Sequence, residues 1–192
     1  MQNILLAAGL GTRSGGEKLL LPYKGQALVA HAAQQSLKAG LFTIVVTGFR
    51  NEEVELALKE MACPNLVLVH NDNYTQGQGS STLVGAKALR ENEDFFISLA
   101  DMPLIEAEHY HLLAKKFSSS DALRPIYQGQ IGHPVLLRAN FKALILAQPI
   151  PFTMQGLLQE FHVELCVVDD EAFVRDIDTI HAYAELLIHP RP

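Results

Sequence analysis

An apolar run that breaks into glycines near the start of the chain constrains the fold more than any other feature. Residues 4–22 read ILLAAGLGTRSGGEKLLLP, with four glycines, Arg13 and Lys18 between two apolar segments. The first strand-to-helix turn of an open α/β sheet is the usual phosphate site, because glycine N–H groups and cations converge there on phosphate oxygens. The stretch therefore predicts one buried strand followed by a loop that binds a phosphate-bearing ligand.

The rest of the chain alternates short runs rich in Ile, Leu and Val with longer stretches of helical spacing. The predicted strands are residues 3–8, 42–47, 66–70, 95–100, 122–125, 134–137, 163–168 and 174–177. The predicted helices are residues 28–38, 52–61, 81–90, 105–117, 141–146, 155–161 and 180–188. Strands that are apolar on both faces and separated by helices favour a mainly parallel sheet covered on each side. The predicted fold class is therefore α/β.

Length and charge narrow the domain organisation and the partners. The 192 residues, 48% of them hydrophobic, predict a single domain over residues 1–192. The formal net charge of −6 disfavours a general polyanion binder, so no nucleic-acid partner is expected. No apolar stretch approaches the roughly 20 residues that span a bilayer, so no membrane partner is expected either.

The start of the chain and the cysteines indicate the compartment. The first ten residues carry no basic leader and no cleavage-type site. Cys63 and Cys166 lie far apart and match no metal or redox spacing, which favours two reduced thiols. These features predict a soluble, cytoplasmic protein.

Two common nucleotide-binding motifs do not fit the glycine loop. A dinucleotide fingerprint that starts at Gly9 requires a third glycine where Ser14 stands, and the second strand ends at Gly48 without an acidic residue. A P-loop would need lysine at position 17, where Glu17 stands. Neither an NAD-type site nor a Walker-type site is therefore predicted.

The loop does resemble the signature of the MobA-like NTP transferases, which act in molybdenum-cofactor biosynthesis. The matching positions are Leu6-Ala7-Ala8-Gly9, Arg13, Lys18, Leu20, Pro22 and Gly25. The resemblance continues, in the family's order, through NDNYTQGQGSSTLVG (71–85), LADMP (99–103), GQIGHPVLL (129–137) and DIDT (176–179). Ala8 and the Gly-His-Pro segment are most similar to the cytidylyltransferase branch. The resemblance implies a three-layer Rossmann-like nucleotidyltransferase fold with a mainly parallel mixed sheet.

The resemblance also implies the residues of the site. The implied catalytic residues are Arg13, Lys18 and Asp101. The implied nucleotide-binding residues are Leu6, Ala7, Ala8, Gly9, Gly11, Arg13, Lys18, Gly48, Asn71, Gly77 and Ser81. The implied acceptor-binding residues are Gly132, His133 and Pro134. The implied cofactor is Mg²⁺, with Asp101 and Asp178 as its ligands.

The residues themselves leave simpler interpretations open for the two aspartates. Asp101 follows a predicted strand and is also placed to cap a helix that starts near residue 104. Asp176 and Asp178 are two apart, so on a strand they would share one face. Alternatively, Asp178 or Thr179 caps the last helix.

The implied reaction is Mg²⁺-dependent transfer of CMP from CTP to the terminal phosphate of molybdopterin cofactor, with release of pyrophosphate. The sequence departs from the family pattern at Tyr74, Gln78 and Thr82, which leaves GTP open as the nucleotide. It also departs at AQPIPFTMQGLLQEF (147–161), where the family holds the acceptor. Another phosphorylated acceptor stays open, and so does a non-catalytic carrier that delivers the cofactor to an apo-molybdoenzyme.

Overall fold

The chain folds around one central sheet with helices on both of its faces. The structure, a computed structural model, describes residues 1–10 and 16–188. The predicted site residues Gly11 and Arg13 lie outside the described residues.

The secondary-structure elements follow the predicted alternation of strands and helices. The strands are β1 (Gln2–Ala7), β2 (Pro22–Tyr23), β3 (Gln26–Ala27), β4 (Phe42–Thr47), β5 (Leu66–His70), β6 (Phe95–Leu99), β7 (Ala122–Tyr127), β8 (Gln130–Ile131), β9 (Val135–Leu137) and β10 (Val163–Val167). The helices are α1 (Leu28–Lys38), α2 (Asn51–Leu58), α3 (Gln78–Ala88), α4 (Ala107–Lys116), α5 (Phe141–Leu146), α6 (Met154–Leu158) and α7 (Ile180–Ile188). Single 3-10 turns lie at Lys18–Leu20, Lys59–Met61, Tyr74–Gln76 and Glu171–Phe173.

The main sheet is mixed but mainly parallel, as the sequence predicted. Its strand order is β10-β7-β9-β6-β1-β4-β5, with β8 paired to β7. The strands β6, β1, β4 and β5 run parallel to one another, and β10 runs parallel to β7. β9 runs antiparallel to both of its neighbours, β6 and β7. The amino end of β9 therefore lies at the same sheet edge as the carboxyl ends of β1, β6 and β7.

The two faces of the sheet bury separate layers of side chains. All six residues of β1 are buried, and Ile4 and Leu6 face α3, α5 and α6 while Leu5 and Ala7 face α1 and α2. α4 and α7 complete the second layer, where they pack against Phe96 of β6. We call the side covered by α3, α5 and α6 the α3 face. Burial on both faces explains why the central strands are continuous apolar runs.

Two local predictions were wrong, and the short strands β2, β3 and β8 were missed. Residues 174–177 form no strand, because this segment meets the end of β6 through a hydrogen bond from the Ile177 amide to the Asp101 carbonyl (2.8 Å) and not through a ladder. The sixth helix spans Met154–Leu158 rather than residues 155–161. The β2–β3 hairpin was not predicted; Lys24 (φ 48°) and Gly25 (φ 85°) form its turn, and left-handed φ at both positions suits a tight hairpin.

Within the described residues, no helix has both the length and the apolar character needed to cross a membrane.

Candidate active site

The crevice at the carboxyl edge of the sheet brings together segments that are distant in sequence. Leu6 of β1 is in register with Leu99 of β6, and the Ala100 amide donates to the Leu6 carbonyl at 3.1 Å. Gly9, shortly after β1, and Asp101, after β6, therefore open onto the same crevice. Ligands of open α/β sheets bind at this edge.

Lys18 joins two aspartates across this crevice. Its Nζ donates to Asp101 Oδ2 at 2.5 Å and to Asp178 Oδ1 at 3.2 Å. The three side chains are only 12%, 17% and 30% exposed, in the order Lys18, Asp101, Asp178. The structure thus assembles three of the predicted site residues into one partly buried ion-pair cluster, which we call the Lys18 cluster.

The local structure shows why these aspartates are available to the cluster. Glu106, and not Asp101, caps α4, in a capping box with His109. Thr179 Oγ1 accepts from the Ala182 amide at 3.1 Å and so caps α7. The prediction that Asp176 and Asp178 share a strand face was wrong because residues 175–178 form no strand. Asp178 instead reaches Lys18 from an irregular segment.

The charges of the Lys18 cluster are strongly coupled. Burial lowers the pKa of Lys18, but the charges and hydrogen bonds of Asp101 and Asp178 outweigh it, so the pKa is raised overall. The pKa of Asp176 is raised by burial and then by the negative charges of Asp178 and Asp101. One ammonium therefore stands among three carboxyl groups, and the ammonium is fully charged at neutral pH.

The donor set of the Lys18 cluster fits a hard divalent cation. Asp101 and Asp178 point carboxylate oxygens at one common atom, and carboxylates are the ligands that Mg²⁺ prefers. No group of three or more acidic, His or Cys side chains suitable for a metal occurs in residues 1–10 and 16–188. Mg²⁺ commonly binds through one or two carboxylates, with substrate phosphates completing its shell. Mg²⁺ ligation by Asp101 and Asp178 stays a prediction.

A cavity of about 310 Å³ lies beside the Lys18 cluster on the α3 face. Its lining includes eight of the predicted residues, Leu6, Ala7, Ala8, Gly9, Lys18, Gly77, Ser81 and Asp101. It also includes six that sequence reasoning did not assign to the site, Leu10, Leu19, Tyr74, Thr75, Gln78 and Leu99. Of these, Tyr74 and Gln78 had been noted only as departures from the family pattern. A larger cavity of about 760 Å³, between α4 and the end of β10, contains no residue of the Lys18 cluster.

Two of the predicted nucleotide-binding residues lie behind the cavity wall. A Cβ on Gly48 would lie 2.7 Å from Tyr74 Cβ and 2.8 Å from Ala8 Cβ, so only glycine allows these wall residues their positions. Asn71 is 1% exposed, and its Nδ2 donates to the hydroxyls of Ser80 (2.9 Å) and Ser81 (3.0 Å). In this structure both residues position the wall.

The start of α3 supplies the polar part of the cavity. Gly77, at φ 93°, has a left-handed conformation that favours glycine and turns the chain into the helix. The first N–H groups of an 11-residue helix such as α3 have no intrahelical partners and attract anions. The sequence placed Gly77 and Ser81 here by resemblance, and the fold directs them at the same cavity as Lys18.

The Gly-His-Pro segment enters β9 beside the end of β6. Gly132 is buried, and a Cβ on it would lie 1.9 Å from the Phe173 carbonyl oxygen. His133 Nδ1 is buried without a hydrogen-bond partner in the described part of the chain. Burial, followed by the charge of Arg124, lowers the pKa of His133 to about 4. Pro134 is buried. Acceptor binding by these three residues stays a prediction.

Residues 147–161, which depart from the family pattern, fold back onto the start of α3. Thr153 caps α6 by accepting from the Gly156 amide at 3.0 Å. The Phe152 carbonyl oxygen lies only 2.2 Å from where a Cβ of Gly79 would be, so this segment packs closely on the first turn of α3. The divergent segment therefore supports the helix start that lines the cavity.

The fold and this site define a nucleotidyltransferase-type domain. The chain belongs to the family described as MobA-like NTP transferase domain, whose profile matches residues 3–163. This family and its Rossmann-like α/β fold confirm the resemblance drawn from the sequence.

Individual relatives show how far this family membership reaches. The chain is 27% identical to the molybdenum cofactor cytidylyltransferase of Escherichia coli (strain K12), over 92% of this chain and 90% of the relative. It is 29% identical to the nicotine blue oxidoreductase of Paenarthrobacter nicotinovorans, over 96% of this chain and 95% of the relative. The solved structure of a nucleotidyl transferase from Methanothermobacter thermautotroptrophicus superposes with a TM-score of 0.81 at 22% identity. The superposition covers 96% of this chain and 94% of that chain, and it shows a likeness of fold.

Proposed function

We propose that this protein is a Mg²⁺-dependent nucleotidyltransferase that transfers CMP from CTP to the terminal phosphate of molybdopterin cofactor and releases pyrophosphate. The observation that carries the proposal is the Lys18 cluster, which lies at the edge of the cavity of about 310 Å³. Phosphoryl and nucleotidyl transfer depend mainly on positioning and charge stabilisation, so a buried cation among carboxylates is the expected equipment.

In the proposed reaction an oxygen of the acceptor phosphate attacks the α-phosphorus of CTP. The bond from the α-phosphorus to the oxygen shared with the β-phosphate breaks, and pyrophosphate leaves with that oxygen. No electrons are gained or lost, and no covalent enzyme intermediate is needed. The chain's task is to hold two anionic substrates in line and to stabilise the charge that moves onto pyrophosphate.

The residues of the cavity divide this task. Lys18 is already charged and held on two carboxylates, so it can turn to the triphosphate without a proton transfer. The start of α3 offers N–H groups to phosphate oxygens, and Ser81 adds a hydroxyl. The apolar side chains of Leu6 and Leu99 provide a wall for the base and ribose.

Mg²⁺ held by Asp101 and Asp178 would polarise the α-phosphate and screen the repulsion between the two substrates. The choice of CTP is supported by Ala8 and the Gly-His-Pro segment and by the identity to a cytidylyltransferase. The molybdopterin acceptor is supported by that same relative.

The oxidoreductase among the relatives does not change the proposal. The loop after β1 has Ser14 where a dinucleotide fingerprint needs its third glycine, and β4 is followed by Gly48 rather than an acidic residue. The Lys18 cluster is suited to stabilise the negative charge that moves onto pyrophosphate, rather than to assist hydride transfer. A redox assay nevertheless belongs in the test, because the identity to that relative is similar.

The test is pyrophosphate release from each of ATP, CTP, GTP and UTP with Mg²⁺, with and without molybdenum cofactor. Wild type is compared with Asp101→Asn, and Asp169→Asn is the matched control because Asp169 is exposed and remote from the cluster. We expect cofactor-dependent release from CTP, a loss of at least about 100-fold in Asp101→Asn, and no change in the control.

Other outcomes separate the alternatives. Pyrophosphate release from GTP alone would replace CTP by GTP in the proposal. Release that depends on a different phosphorylated acceptor would replace molybdopterin cofactor as the acceptor. Tight cofactor binding without release from any nucleotide would replace the enzyme by a carrier that serves an apo-molybdoenzyme. Oxidation of NADH or NADPH by the wild type, with no pyrophosphate release, would replace the transferase by an oxidoreductase.

A further inference from the structure

An arginine lies among apolar side chains on the α3 face of the sheet. Strand register aligns Ile4 of β1 with Ile97 of β6, and Ile97 with Val135 of β9. Arg124 of β7 lies between Leu123, which pairs with Leu136, and Pro125, whose carbonyl accepts from the Gly132 amide at 2.9 Å, so residues 133–135 lie opposite it. Alternation along β7 puts Arg124 on the α3 face, the face that also carries the cavity beside Lys18.

Arg124 is half-buried and has no partner in the described part of the chain. Its Nε is buried without a hydrogen-bond partner, and no ion pair links its guanidinium to another described residue. Its pKa is lowered by burial, which means that the charge is held at a cost. Buried polar nitrogens are normally hydrogen-bonded, so the unpaired Nε of Arg124 is a donor that a ligand could use.

A second orphaned nitrogen lies close to the first. His133 Nδ1 is also buried without a partner among residues 1–10 and 16–188. The charge of Arg124 helps to lower the pKa of His133 to about 4, which places the two groups within electrostatic reach of each other. The imidazole is therefore neutral at pH 7 and leaves the charge of Arg124 uncompensated.

The position of this pair relates it to the Lys18 cluster. Two strand spacings, about 10 Å, separate the β7 backbone from the β6 backbone, and an extended arginine side chain covers much of that distance. Asp101 follows β6 directly and contributes to the field at His133. An anion held by Arg124 would thus lie on the β9 side of the Lys18 cluster, opposite the start of α3.

We propose that Arg124, with His133, forms the subsite that binds the phosphate of the acceptor, so that the acceptor enters over β9 and β7. The inference rests on the proposed function, in which the acceptor presents a phosphate. A planar guanidinium binds phosphate with two parallel hydrogen bonds, and Nε is one of the donors that can make them. The simpler alternative is an arginine whose charged end only reaches water.

The kinetic test compares wild type with Arg124→Gln and Arg124→Lys, at saturating CTP and varied molybdenum cofactor. We expect Arg124→Gln to raise the acceptor KM by roughly 10- to 100-fold and to leave the CTP KM within twofold. Arg124→Lys keeps the positive charge but cannot make two parallel hydrogen bonds to phosphate. Its acceptor KM is therefore expected to lie between those of wild type and Arg124→Gln. Arg90→Gln is the matched control, since Arg90 is exposed near the amino edge of the sheet.

A binding test does not depend on turnover. Titration of inorganic phosphate into ¹⁵N-labelled protein is expected to shift the Arg124 Nε–H resonance, which is assigned by its absence in Arg124→Gln. The Arg90 resonance is expected to stay in place.

The outcomes distinguish failure of the inference from failure of the proposed function. If wild type turns over but Arg124→Gln keeps its acceptor KM within twofold, the acceptor subsite is overturned. If wild type shows no acceptor-dependent release, the proposed function fails, and the phosphate titration alone decides whether Arg124 binds phosphate. A resonance that does not move with phosphate then overturns the anion subsite, and Arg124 is an arginine that only reaches water.

Discussion

The two sides of the crevice satisfy their polar groups in different ways. On the nucleotide side Lys18 is bound to two aspartates, and Asn71 is bound to two serine hydroxyls. On the acceptor side the buried nitrogens of Arg124 and His133 have no partner within the described residues. Groups that are paired before a ligand arrives make a preformed site, whereas unpaired buried groups make a site that a ligand stabilises. The difference indicates a rigid nucleotide side and a ligand-dependent acceptor side.

The divergence of the sequence does not follow the same division. The segments that resemble the family closely build the Lys18 cluster and the start of α3. The segment that departs from it, residues 147–161, packs on the first turn of α3 and on the core of the α3 face.

The largest expected effect is on the nucleotide side. Lys18→Gln removes the cation and leaves Asp101 and Asp178 without their common partner, so we expect kcat/KM to fall by at least about 100-fold. Pyrophosphate release measures it, and Lys87→Gln, an exposed position on α3, is the control. A loss below threefold would mean that the rigid, charged side is not where the chemistry takes place.

A pair of glycine variants tests the packing of the two sides. Gly132→Ala places a Cβ 1.9 Å from the Phe173 carbonyl oxygen, so backbone must move, and we expect a loss of about 2 kcal/mol in the free energy of unfolding. Gly9→Ala meets no atom within 4 Å and should change that free energy by less than about 0.5 kcal/mol. Urea unfolding measures both. Equal losses would show that the backbone at Gly132 is packed no more tightly than the backbone at Gly9.

An intermediate effect is expected at Asn71. Asn71→Ala leaves the Ser81 hydroxyl and the Asn73 amide without this hydrogen-bond partner, while the Ser80 hydroxyl keeps its bonds to backbone carbonyls, so the loss should be about 1–2 kcal/mol of stability. The CTP KM should rise with it, since Ser81 lines the cavity. Asn73→Ala, in the same loop but exposed, is the control. An unchanged CTP KM would show that the preformed loop does not position the nucleotide.

The smallest effect, counted per pH unit, concerns acid stability. Burial lowers the pKa of both His31 and His133 from 6.5 to about 4. The unfolded chain therefore takes up protons that the folded chain does not between pH 6.5 and 4, so the free energy of unfolding falls as pH falls through this window. His31, which is 2% exposed, should contribute roughly 1 kcal/mol per pH unit.

The two histidines can be compared by urea unfolding at pH 7, 6 and 5. His31→Gln and His133→Gln should each reduce the acid-side loss relative to wild type. We expect the smaller reduction for His133, whose side chain is half-buried on the ligand-dependent acceptor side. A larger reduction for His133 than for His31 would show that the imidazole of His133 is the less solvated of the two.

Much of the fold was readable from the sequence because hydrophobic periodicity is local. The strand Phe42–Thr47 and the helices Leu28–Lys38 and Phe141–Leu146 have the predicted boundaries, since each buries its own apolar pattern. The parallel order of the central strands followed from runs that are apolar on both faces. Residues 174–177 misled the prediction, because a tertiary bond to Asp101, and not a ladder, holds Ile177.

The sequence by itself determined the α/β class and the family and predicted the phosphate-type loop, because these depend on short-range patterns and on motif spacing. Only the tertiary structure decided that Lys18 lies between Asp101 and Asp178, that Tyr74 and Gln78 line the cavity, and that Arg124 has no partner among the described residues. These facts depend on which side chains distant segments bring to one sheet edge. Register and packing decide that, and no local pattern in the sequence records it.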